Sequence, residues 1–314
     1  VNVHLAAVQA AIEPQWYQTD EAFLARVDRL AHLAAASAPD DATPVIAFPE
    51  LFALPLLFWH RAPEAALKAQ SALEASWIWL KSEKAAALRS IHHGPWFFYH
   101  WRANRLWPLY VRAFREAARK YRAYVLAGSL IAPRMDEEPA RGMYAVSSKV
   151  YNQALWINPE GRILARPEKI RLMPEERRAL VAPGAWGGQV VHTRIGVLGV
   201  LICLDAFHEA LVERVDASGA WLLVQPSANP AKWEGPWKPD PKRREGEVWL
   251  AEGLRKKLED RENLRYGLNP MLTGQFYETA FEGRANVAAA GETLAITPAP
   301  TGDGLASFTV TREG

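Results

Sequence analysis

Near-continuous apolar runs alternate along the chain with stretches in which apolar residues recur every three or four positions. The runs at residues 3–9, 44–48, 124–128, 154–157, 197–202 and 221–224 predict strands buried on both faces of a covered sheet. A first helix is expected from Asp20, a residue type favoured at the N-cap, with Phe23, Val27, Leu30 and Ala34 along one face. A second is expected from Pro108, carrying Val111, Phe114, Ala118 and Tyr121. Strands alternating with helices argue for an α/β class with helices packed on sheet faces.

Two stretches interrupt this rhythm. Residues 55–107 are rich in Ala and Trp, and within them 65–88 predicts a helix with Leu73, Trp77 and Leu80 on one face. Residues 229–275 combine a Pro-rich loop, the cluster Lys242-Arg243-Arg244 and a helix around Val248, Ala251, Leu254 and Leu258. Without an internal repeat or a linker, the expected organisation is one domain over 1–314 with two insertions.

The 314 residues are 49% hydrophobic and 23% charged, ordinary values that exclude a disordered or collagen-like chain. Lys and Arg number 37 against 35 Asp and Glu, so no electrostatic case exists for a nucleic-acid or membrane-surface partner. The longest apolar runs, 51–59 and 195–204, fall short of the ~18 residues a membrane span needs. The start of the chain lacks the pattern of a signal peptide, and a soluble cytoplasmic protein is expected. The single cysteine, Cys203, excludes an intrachain disulfide and any CxxC motif. Tryptophan, with 13 residues, outnumbers both Phe and Tyr. Trp59, Trp77, Trp79, Trp96, Trp101 and Trp107 fall in the first interruption, where packing is the expected role of most and one or two are candidates for a pocket wall.

The segment from Gly196 to Glu209 carries most information. A buried strand runs into Cys203, and the residues after it predict a helix with Asp205 as cap and Ala210, Leu211 and Val215 apolar. Such a junction exposes a thiol at the sheet edge near a helix N-terminus, where the dipole favours thiolate. A lone cysteine among Val, Leu and Ile is otherwise a buried, inert thiol. Its company decides between the two. Thr43-Pro44-Val45-Ile46-Ala47-Phe48-Pro49-Glu50 ends a strand in a carboxylate, and Arg166-Pro167-Glu168-Lys169-Ile170-Arg171 places a lysine after an extended segment.

With these residues the chain resembles the nitrilase, or carbon–nitrogen hydrolase, superfamily, whose members use a Glu–Lys–Cys triad in that chain order. Tyr151-Asn152-Gln153-Ala154, Trp221-Leu222-Leu223-Val224-Gln225-Pro226-Ser227 and Ala7-Val8-Gln9 match further segments of the family. Arg171 stands where the family often has His, and His208 where it often has Pro. Leu204-Asp205 is closer to the amidase and carbamoylase branches than to the Trp-Glu of true nitrilases.

The resemblance implies a four-layer α–β–β–α sandwich and a homodimer or larger homo-oligomer. It implies Cys203 as nucleophile, Glu50 as general base, and Lys169 with the backbone N–H of Leu204 as partners of the oxyanion. A second glutamate orients the lysine; Glu175 and Glu176 both fit by position, and Glu176 is the choice. No cofactor and no metal is required, and the substrate is a small-molecule amide, N-carbamoyl compound or nitrile. Transfer of the acyl group to another acceptor and a silent scaffolding role are the alternatives. His92, His93 and His100 invite comparison with a zinc site, but no carboxylate sits among them at ligand spacing. The Lys242–Arg244 cluster, followed by Glu245 and Glu247, reads as a solvated loop.

Overall fold

The computed structural model describes residues 1–84, 91–138 and 142–312. Layering is decided by the period-two alternation of the first strand, β1 (Asn2–Ile12). Its odd-numbered residues Leu5 and Ala7 enter one core and its even-numbered Ala6 and Val8 another, all of them buried. The next strands are β2 (Thr43–Ala47), β3 (Tyr124–Glu138), β4 (Gly142–Ile157) and β5 (Ile163–Ala165). There follow β6 (Val190–Thr193), β7 (Gly196–Val200), β8 (Leu222–Val224), β9 (Pro236–Trp237) and β10 (Asp240–Arg244). The last are β11 (Tyr266–Asn269), β12 (Met271–Phe276), β13 (Thr279–Phe281), β14 (Asn286–Ala289), β15 (Glu292–Ile296) and β16 (Gly304–Thr311).

An eight-stranded sheet runs β13-β12-β1-β2-β3-β4-β5, with β16 also on β1; a six-stranded sheet runs β15-β14-β11-β8-β7-β6. The two sheets face each other through Leu5, Val45 and Leu126 of the first and Leu198, Leu222 and Val224 of the second. On the outer face of the first sheet, Ala6, Ile46 and Val125 pack against α1 (Asp20–Ala36) and against α2 (Leu54–Trp59), with α3 (Glu64–Leu67), α4 (Ala72–Ser82) and α5 (Phe97–Lys120) completing that layer. After the short α6 (Pro174–Arg178), the outer face of the second sheet receives α7 (Glu209–Ala217) and α9 (Leu254–Lys257), with Leu223 against Val212, Val215 and Leu254, while α8 (Glu245–Glu252) packs Trp249 and Leu250 against the cluster between the sheets. The chain is thus the four-layer α–β–β–α sandwich. No helix among the described residues is long and apolar enough to cross a membrane.

The expected strands all occur, while several helix boundaries differ. Thr19, not Asp20, caps α1, its hydroxyl accepting the Ala22 N–H at 3.1 Å. Asp20 instead accepts from the His60 ring at 2.9 Å. Pro108 does not open a helix: it lies inside α5, whose buried side extends back through Leu106, Trp101 and Phe98, so packing outweighs the hydrogen bond the proline cannot make. The expected helix over 65–88 is divided into α3 and α4, and its positions 85–88 lie outside the described residues.

The buried face of α4 also differs from the expected one at two of its three positions, Leu80 alone being half-buried against the core. Leu73 and Trp77 are 68% and 55% exposed, whereas Ala75 and Trp79 are buried. Trp79 is fixed by its indole N–H, which donates to the Phe58 carbonyl at 2.8 Å, and by the Arg102 guanidinium 4.0 Å above its ring. Trp59, Trp101 and Trp107 are likewise buried in this layer. The second interruption ends earlier than 275, because β11 and β12 from Tyr266 onward are members of the two sheets.

Trp79→Ala is therefore expected to cost about 3–5 kcal/mol and Trp77→Ala no more than about 0.5 kcal/mol in urea unfolding. A larger loss for Trp77→Ala would contradict this orientation of α4.

Candidate active site

Three separate chain segments converge at one end of the facing sheets. Glu50 follows β2 in a turn stitched to β3: Phe48 N–H donates to Leu126 O at 3.0 Å and Leu51 N–H to Ser129 Oγ at 2.8 Å. Gly128 makes that approach possible, since a Cβ there would lie 2.7 Å from Pro49 O and 2.4 Å from Phe52 Cβ. Lys169 sits on an extended segment beside β4, its N–H donating to Asn152 O at 2.8 Å. Cys203 begins a tight 3-10 turn straight after β7, with φ of 50°, a left-handed conformation that a non-glycine residue adopts only where its surroundings enforce it. Its N–H donates to Pro226 O at 2.9 Å and its carbonyl accepts the Gln225 amide at 3.0 Å, so both sides of the turn are held.

The charged groups form one cluster. The Lys169 ammonium lies 2.8 Å from Glu50 Oε1 and 2.8 Å from Glu176 Oε2. Asn152 bridges the same carboxylates, its Nδ2 donating to Glu50 at 2.8 Å and to Glu176 at 2.9 Å. Glu50 also accepts the Ala228 N–H at 3.0 Å, and Glu176 the Met173 N–H at 2.9 Å. Glu175 points away and pairs with Arg178 at the surface, so of the two glutamates Glu176 is the one brought to the lysine. All members of the cluster are buried.

Burial and charge set the protonation states. Burial raises the Glu50 pKa above the ordinary glutamate value, with Lys169 pulling it down and Glu176 pushing it further up. Burial opposes the charge on Lys169, but the carboxylates of Glu50 and Glu176 and the neighbouring Cys203 outweigh it and hold the ammonium protonated above the ordinary lysine range. The Cys203 thiol is pushed up by burial and then by the Glu50 charge, with Lys169 acting the other way. This differs from the expectation of a dipole-stabilised thiolate. The following helix, α7, starts only at Glu209 with His208 as N-cap, and the 3-10 turn intervenes.

Asp205 likewise is not a helix cap. Its buried carboxylate accepts the Ile170 N–H at 2.9 Å and the Arg171 N–H at 2.6 Å, tying the cysteine turn to the lysine segment. Burial pushes its pKa up to about 7 against those two donors. Asp205 as a clasp and Asn152 as a bridge escape a reading by local periodicity, because both act across elements distant in the chain. The Leu204 N–H donates to no acceptor among the described residues, and Leu204 lines a cavity together with Cys203. This cavity holds about 310 Å³, with Phe207, Trp237, Val248 and Trp249 among its walls. Tryptophans of the first interruption do not line it; Trp237 and Trp249 come from the second. Rings of His93 and His100 stack at 3.6 Å, and no group of three or more His, Cys, Asp or Glu side chains suited to a metal ion occurs among the described residues.

The family pattern of carbon-nitrogen hydrolases matches residues 4–241, most of the chain. The chain belongs to the carbon–nitrogen hydrolase family. It is an enzyme of the nitrilase type, and solved structures share its fold. One is a mutant of the amidase from Nesterenkonia sp. that carries the acetamide moiety of fluoroacetamide on its active-site cysteine. That match has a TM-score of 0.64 at 19% identity, covering 98% of this chain and 90% of the other. A carbon-nitrogen hydrolase from Helicobacter pylori matches with a TM-score of 0.68 at 16% identity, covering 99% and 90% of the two chains. No curated protein matches the chain in sequence.

Asp205→Asn puts an amide NH2 group against one of two backbone donors that now have an acceptor. It is expected to cost about 1–3 kcal/mol, read as a lowered melting temperature; an unchanged melting temperature would show that the clasp contributes nothing.

Proposed function

We propose that this member of the family hydrolyses the carbon–nitrogen bond of small amides through an acyl-enzyme on Cys203. The observation that supports this reading most is the buried cluster in which one ammonium lies 2.8 Å from each of two carboxylates beside the chain's one thiol. A buried neutral thiol is a weak nucleophile, so attack on an amide carbon needs a base that takes its proton as the bond forms. Glu50, ionised and of raised pKa, fills that role. As Sγ bonds to the carbonyl carbon, the carbonyl oxygen gains the charge, and the Lys169 ammonium with the Leu204 N–H supplies its partners.

Glu50 then returns the proton to the leaving nitrogen, and the carbon–nitrogen bond breaks to give a thioester and ammonia or an amine. Water attacks the thioester carbon as Glu50 takes its proton, and the carbon–sulfur bond then breaks, the returning proton restoring the thiol as the acid leaves. Glu176 and Asn152 position Lys169 and Glu50 rather than touching the reacting atoms. The same machinery would take N-carbamoyl compounds or nitriles; the amide reading is favoured because the structural relatives described above include an amidase with an amide-derived group on its cysteine.

A screen of amides, N-carbamoyl compounds and nitriles is expected to give turnover with the wild type. Cys203→Ala should lose at least about 10³-fold, and Glu50→Gln about 10²–10⁴-fold. Comparable turnover by Cys203→Ala would overturn the mechanism. Because Glu50 must be ionised to accept the thiol proton, activity falls as pH drops through its raised pKa. The acid limb of kcat/KM should therefore lie above the ~4.3 of an ordinary glutamate. Lys169→Met removes the cation that pulls this pKa down and should move the limb higher still; a limb at or below the ordinary value would argue against Glu50 as the base.

A further inference from the structure

We infer that the acyl pocket selects amides whose acyl chain ends in an ammonium group, with Glu245 and the surrounding aromatic rings as the cation's seat. The inference rests on the amide-hydrolase reading of Cys203 and deepens it. Two carboxylates, Glu245 and Glu252, line the cavity that opens on the thiol, and none of its described lining residues is a lysine or an arginine. Glu252 is already engaged by Arg243. Glu245 has no cationic partner among the described residues; its carboxylate accepts only the Trp249 indole N–H, at 3.0 Å.

The rings complete a seat for an organic cation. Phe207 and Trp249 both border the cavity and meet edge to face, with centroids 5.1 Å apart and ring planes nearly perpendicular. Trp237, a third wall, carries the Arg243 guanidinium 5.5 Å from its ring centroid, so a cation already rests against this indole. Aromatic faces with one open carboxylate are the chemistry that recognises an ammonium. The polymethylene part of the acyl chain would lie against Val248, Trp237 and Phe207, all of which border the cavity. An acyl chain ending in a carboxylate has the opposite fit. It would meet the unpaired Glu245 carboxylate with no lysine or arginine among the described lining residues, a like-charge encounter that the Arg243–Glu252 pair does not offset at Glu245. N-carbamoyl amino acids and the monoamides of diacids are therefore excluded from the preferred class.

Three probes of equal chain length separate the terms: ω-aminohexanamide, hexanamide and the monoamide of adipic acid. With the wild type, kcat/KM is expected to fall in that order. At least about tenfold should separate the first from the second, the factor that one hydrogen bond to a charged group supplies. Glu245→Gln should collapse the ratio between the cationic and neutral amides, mainly through KM, and Glu245→Lys should reverse the order of the cationic and acidic amides. Equal turnover of the three, or a ratio unmoved by both substitutions, would overturn the inference while leaving amide hydrolysis standing. Failure of all three to acylate Cys203, followed by intact mass spectrometry, would remove the hydrolase reading and the inference with it.

Discussion

A protonated lysine buried between two carboxylates is the interaction on which the rest of this site depends. An ion removed from water is tolerated only where partners replace its hydration, and Lys169 has Glu50 and Glu176 each at 2.8 Å. Those partners reach it from the turn after β2 and from the start of α6, and Asn152 on β4 ties the two carboxylates together. Deleting one partner would leave an uncompensated buried charge, so geometry and electrostatics are specified at once. The four layers position these segments, since the paired sheets bring the C-terminal ends of β2 and β7 to the middle of β4, where Asn152 holds the Lys169 segment.

The same cluster determines what the thiol can do. Burial and then the Glu50 charge push the Cys203 thiol up, with Lys169 acting the other way, so the neutral thiol is favoured. In the proposed mechanism, proton transfer to Glu50 and attack on the carbonyl belong to one event, and the charge that leaves the sulfur reaches an oxygen facing Lys169 and the Leu204 N–H, which has no acceptor among the described residues. Beyond the thiol the cavity changes character, from fixed charge to aromatic wall. In the proposed reading, reaction and substrate choice belong to different parts of the chain, the first to the segments at the end of the two sheets and the second to the segment around α8.

The residues that announce themselves in the sequence are those whose signal is local. Phe48-Pro49-Glu50 and Cys203 each follow a strand with a buried end, read directly as an apolar run, whereas the run to Lys169 follows the half-buried β5. Glu176 required a choice between neighbours, which the capping of α6 by its side chain resolves in space. Asn152 stood in a matched strand without a task, because its partners lie 102 and 24 residues away. Asp205 looked like a cap because a carboxylate before a helix usually is one, whereas its donors belong to the lysine segment. On α4, apolar periodicity picked Leu73, Trp77 and Leu80; the side that packs is set instead by Trp79, whose ring lies beneath Arg102. The tryptophan excess thus concerns packing of the outer helical layer more than the pocket, whose indoles come from Trp237 and Trp249.

One cysteine in the chain makes the central claim directly measurable. Thiolate absorbance of the wild type, taken against Cys203→Ala across pH, reports this sulfur alone. The proposed mechanism predicts no thiolate at neutral pH and a rise only above the ~8.5 of an unperturbed thiol. A full thiolate signal at neutral pH, the signature of a resting ion pair with Lys169, would contradict a neutral thiol that waits for Glu50 to take its proton.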